Sequence, residues 1–116
     1  MLRRLVALIA LTGCASAPVV ARSPAPVATD NQTLVGSLVR EQEALSSELN
    51  HPGSFECGRG CELAGDICGD SARICALSDR DAQDPEVARA CSDAADRCTQ
   101  ANLDVRSRQC ICPPNP

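Results

Sequence analysis

The sequence predicts an all-α fold, a disulfide-stapled antiparallel helical hairpin, with an additional N-terminal amphipathic helix left open. Three observations carry this. Cys61, Cys68 and Cys75 stand at equal intervals in "CELAGDICGDSARIC", and Cys91 and Cys98 repeat the interval. Seven residues make two helical turns with a lag of only about 20°, so each set lines one face of a helix. Cys75 and Cys91 also have the same residue-number sum as Cys68 and Cys98, which puts both pairs at matching heights in two antiparallel helices. Finally, the 116 residues include nine Cys, but Phe55 is the sole aromatic and Trp and Tyr are missing. A chain so poor in large apolar side chains needs cross-links where a larger domain has a core.

The elements follow in chain order. Arg3 and Arg4 precede an apolar run from Leu5 to Leu11. That run is shorter than the roughly 20 apolar residues of a membrane span and has the layout of an export signal. Leu11-Thr12-Gly13-Cys14 resembles the lipobox of bacterial lipoprotein precursors: an aliphatic residue, two small ones, then the modified Cys. The resemblance implies a signal peptide over 1–13, cleavage before Cys14, and acylation of Cys14. Acyl chains bring about 0.8 kcal/mol of membrane affinity per buried CH2, and more than one makes the anchor stable. The competing reading, an ordinary signal cut after Ala15-Ser16-Ala17, leaves Pro18 just beyond the cut. Parity also favours the lipobox, because setting Cys14 aside leaves an even eight. Ala15 is not the Asp that often retains lipoproteins at the inner membrane, so the outer membrane of a Gram-negative envelope is the expected destination.

Residues 14–32 are the lipidated Cys and a tether. Three prolines among Ala, Ser and Val favour an extended, semi-rigid spacer, about 50 Å long at full extension. Residues 33–50 read as the amphipathic helix. Leu34, Leu38, Leu45 and Leu49 fall within about 60° of the helical wheel. Asp30 or Thr33 is placed to cap its start, and Asn50-His51-Pro52-Gly53 to stop it. Packing on the cysteine domain, pairing with another copy and partial formation all remain open for this segment.

Residues 55–112 form the hairpin, followed by a disordered tail over 113–116. Its first helix spans about Phe55 to Leu77, weakened at the start by the glycines of "CGRGC". Ser78 to Asp84 is a short polar turn. Asp84-Pro85-Glu86 then supplies an N-cap, a proline at the first helical position and an early acid suited to the helix dipole. Helix axes about 8 to 10 Å apart leave facing Cα atoms some 3.5 to 5.5 Å apart, within reach of a disulfide. Bridges are therefore expected at Cys75–Cys91 and Cys68–Cys98. The Cys75–Cys91 loop alone is expected to add roughly 3 kcal/mol. Val105 falls opposite Cys61, so Cys57 and Cys61 must pair with Cys110 and Cys112. Nested pairing gives Cys61–Cys110 and Cys57–Cys112, with the swapped pair as the alternative.

The pattern CxxxCx6Cx6C, an acidic turn, Cx6C and a terminal Cys cluster also resembles uncharacterised cysteine-rich lipoproteins of myxobacterium-like Gram-negative bacteria. The resemblance covers Cys57 to Cys112 and implies no activity.

The remaining chemistry is sparse. All eleven basic residues are Arg and the net charge is −4, a balance that argues against nucleic acid. Soft-metal binding, copper or zinc, is the alternative function, with Cys57, Cys61, Cys68, Cys75, Cys91, Cys98, Cys110 and Cys112 as ligands. Export opposes it, since oxidising compartments consume thiols. A thiol–disulfide redox role ranks lower, because Cys110-Ile111-Cys112 is not a C-x-x-C. His51 is the single imidazole, and nothing supplies an activated nucleophile with an oxyanion site. Asp66 with Asp70 and Asp79 with Asp81 read as solvated faces, and Gly65 with Gly69 as a close-packing side. The expectation is a non-enzymatic structural or interaction module without a cofactor, held in the envelope by a lipid anchor. An envelope protein is its expected partner.

Overall fold

The computed structural model describes residues 28–51, 53 and 55–114. Three helices are present, α1 (Asp30–Leu49), α2 (Cys57–Arg80) and α3 (Pro85–Ser107), and the described residues contain no strand. The fold is all-α and disulfide-stapled. The expected signal peptide, Cys14 and most of the expected tether lie outside the described residues.

α1 begins three residues earlier than its sequence suggests, and Thr29 caps it rather than Asp30 or Thr33. Thr29 Oγ1 accepts from the Gln32 backbone at 3.2 Å, and Thr29 N–H donates to Gln32 Oε1 at 3.1 Å. This is a reciprocal capping box. Asp30 instead places its charge in the first turn, where the helix dipole favours it. The tether therefore stops short of Thr29, because residues 30–32 are helical. At the other end, Asn50 Nδ2 closes on the Ser46 carbonyl at 2.9 Å.

α2 starts at Cys57, two residues later than expected, and runs three past Leu77. Its first turn has no side-chain cap, and Phe55 folds back over it. A Cβ on Gly60 would overlap the Phe55 ring, so this glycine permits a close approach that alanine would block. The Arg108 guanidinium stacks over the Phe55 ring, 4.0 Å from its centroid. α3 follows its expected start: Asp84 Oδ1 accepts from the backbone of Glu86 at 2.9 Å and Val87 at 3.3 Å, with Pro85 in the first turn.

α1 packs on both other helices, so the hairpin becomes a three-helix bundle. Gln32 Nε2 donates to Asp84 Oδ2 at 2.8 Å, and Gln42 Nε2 donates to the Ala94 carbonyl at 3.1 Å. The constant offset in residue number shows α1 parallel to α3 and antiparallel to α2. Val35, Leu38, Gln42 and Leu49 are buried, with Leu45 half-buried, in alternating steps of three and four. Leu34 is 54% exposed, so the inward stripe is rotated from the all-leucine one.

The apolar core is split. Leu49, Leu63, Ala64, Ile67, Ala101, Val105 and Cys110 form one cluster, and Val35, Leu38, Ile74, Val87 and Ala94 form the other. Gly69, expected on a packing face, is exposed, and a Cβ there would meet nothing.

Candidate functional site

The cysteines are the most distinctive chemistry of the described residues. Cys68–Cys98 and Cys75–Cys91 bridge α2 to α3 with Cα–Cα distances of 4.6 Å, the two rungs that equal helical heights require. At the far end the bridges are Cys57–Cys110 and Cys61–Cys112, each with Cα atoms 5.3 Å apart. The nested pairs Cys61–Cys110 and Cys57–Cys112 are therefore not formed, and the swapped alternative is.

The reason lies at the end of α3. Gln109 adopts φ 60°, while Gln109 N–H donates to the Arg106 carbonyl at 2.8 Å and Cys110 N–H to the Val105 carbonyl at 3.0 Å. These bonds and the left-handed residue make a Schellman turn, with Cys110 against Val105 as its apolar contact. The turn reverses the chain, so the tail runs back alongside the start of α2 instead of past it. Four helical residues rise about 6 Å and two extended residues about 6.6 Å. That match lets Cys110 and Cys112 meet Cys57 and Cys61 in order.

All eight of these cysteines are consumed in disulfides. This overturns the soft-metal alternative, which requires thiolates. Among the described residues, no group of three or more His, Cys, Asp or Glu is arranged to hold a metal ion.

Two polar features lie inside the bundle. Gln42 is fully buried between the two apolar clusters. Its Nε2 donates to the Ile67 carbonyl on α2 at 2.9 Å and to the Ala94 carbonyl on α3 at 3.1 Å. Its Oε1 accepts from Arg97 Nη1 at 3.1 Å, and Arg97 Nη2 reaches Glu43 Oε1 at 3.3 Å. One side chain thus fastens three helices at a single height.

The second feature is Asp70, only 3% exposed although the Asp66–Asp70 pair reads as a solvated face. Its Oδ1 accepts from Arg73 Nη1 at 3.2 Å, while its Oδ2 is buried without a partner. Burial pushes the Asp70 carboxyl above its ordinary range, and Glu41 across the interface and Asp66 on the same helix push the same way. Arg73 opposes them.

Clefts formed by the described residues are shallow and open to solvent. One of about 280 Å³ lies beside Cys61–Cys112, over Ala64, Gly65 and Val105 and rimmed by Asn102 and Arg106. His51 borders another of about 370 Å³ with Glu48, Phe55 and Arg59. Arg59 is engaged there by Glu48 at 2.7 Å and Glu62 at 3.1 Å, and these bonds raise its guanidinium above its ordinary value. Neither cleft joins a nucleophile to a base. Between the two tail bridges Ile111 is 95% exposed.

Gln42 and Gln109 go unread in the sequence. Asp70 reads as solvated and is buried, and Gly60 reads only as a weak helix start and instead admits the Phe55 ring. Gln42 could have been found, because it continues the three-and-four spacing of Val35, Leu38, Leu45 and Leu49. Set against family models, curated proteins and solved structures, the chain matches none.

Proposed function

We propose that the protein is a lipid-anchored, non-enzymatic module of the cell envelope that acts through structure or protein interaction. The observation that carries this reading is the set of four disulfides in so short a chain. Stable bridges of this density belong to oxidising compartments, and the lipobox-like Leu11-Thr12-Gly13-Cys14 supplies the route there. No helix of the described residues is long and apolar enough to cross a membrane. On this reading the acyl groups on Cys14 attach the protein, the Pro/Ala segment spaces it from the lipid, and the bundle is what it displays. The outer membrane is the favoured location, and the partner is an envelope protein.

Fractionation of cells expressing the full chain tests this. Wild type is expected with the membranes and the Cys14→Ser variant in the soluble fraction. A variant that stays membrane-bound contradicts the anchor.

A further inference from the structure

We propose that α1 is a releasable strap on a disulfide-locked hairpin, its docking weakened by the partnerless carboxyl oxygen of Asp70 buried in the interface. The covalent topology sets up the device. Each of the four bridges joins α2 to α3 or to the tail beyond it, and none reaches α1. The hairpin keeps its geometry whether or not α1 is in place. α1 is held by burial of Val35, Leu38 and Leu49, by Gln42, and by polar contacts at Gln32–Asp84, Glu43–Arg97 and Glu48–Arg59.

Asp70 is the weak point of that interface. It lies on the inward face of α2 in step with Leu63, Ile67 and Ile74, and one oxygen is shut from water with nothing to accept from. A protonated carboxyl tolerates such a site far better than a carboxylate. The surrounding charges do not rescue the ionised form. α1 contributes Glu41, and α2 contributes Asp66 against a largely exposed Arg73. α3 contributes Arg97, already held by Gln42 and Glu43, while Asp93 and Asp96 are exposed.

Docking of α1 raises the Asp70 carboxyl, so the docked state binds the proton more tightly than the open one. Closure is therefore fully supported below the ordinary carboxylate range. It weakens as pH climbs from that range through the raised value. Release would uncover Leu63, Ile67 and Ile74, the furrow that α1 fills.

Hydrogen exchange on the oxidised full chain, corrected for intrinsic rates, reads this directly. From acid to neutral pH, protection of α1 amides should fall several-fold, while α2 and α3 hold theirs. Asp70→Asn should keep α1 protected and flatten the dependence. Glu41→Gln, which leaves the hairpin untouched, should raise α1 protection at neutral pH. A flat wild type, a slope that survives in Asp70→Asn, unchanged protection in Glu41→Gln, or loss of all three helices together would overturn the proposal.

Discussion

Gln42 concentrates what single residues do in this fold. Its amide replaces an apolar contact at the middle of a thin core, yet both ends are satisfied. Gln42→Ala opens a cavity in the buried core and removes one of the two acceptors of Arg97, so it should cost about 2 to 3 kcal/mol. Gln42→Leu keeps the volume and should cost much less, because Ile67 and Ala94 already lie in helical backbone. Denaturant unfolding of the oxidised protein checks both; equal losses would contradict a cost set by the lost volume. At Gly60, Ala would drive a methyl into the Phe55 ring, and a loss of about 1 to 3 kcal/mol is expected by the same measurement. Gln109→Gly should act oppositely. It relieves a left-handed residue at the Schellman position, and a gain of up to about 1 kcal/mol is expected.

At the scale of elements, the helices owe their positions to their ends. Asp84 caps α3 and also accepts from Gln32, whose oxygen completes the capping box of α1. Two helix starts are thereby tied at one pole. Thr29→Ala should cost about 1 kcal/mol, seen as faster exchange in the first turns of α1 while α2 and α3 hold. Much of this was legible. The repeated interval from Cys61 to Cys75 and from Cys91 to Cys98 fixed two helix faces, and Asp84-Pro85 marked a start. What escaped had physical causes. The inward stripe of α1 passes through Gln42, so a search for leucines rotated it toward Leu34. The tail pairing was inverted because glutamine at position 109 gives no signal of a left-handed turn, and that turn alone decides which way Cys112 points. Asp70 reads as surface because a carboxylate usually is, and only the assembled interface shows it covered.

The whole molecule is a bundle in which sulfur and one amide compensate for scarce large side chains. α2, α3 and the tail form a covalently fixed frame, and α1 is a docked third element. A chain this small, with so few large apolar residues, should lose its α2–α3 geometry when reduced, because each bridge removes freedom that the core cannot remove by itself. Reduction should therefore abolish cooperative unfolding, followed by circular dichroism against denaturant.

The chain turns back after α3 and clasps the start of α2 through its last two bridges. Non-reducing peptide mapping of the full chain, kept from reductant throughout, tests this pairing. The expected linkages are Cys57–Cys110, Cys61–Cys112, Cys68–Cys98 and Cys75–Cys91. Peptides joining Cys57 to Cys112, joining Cys68 to Cys75, or carrying any of these eight as free thiols would contradict it.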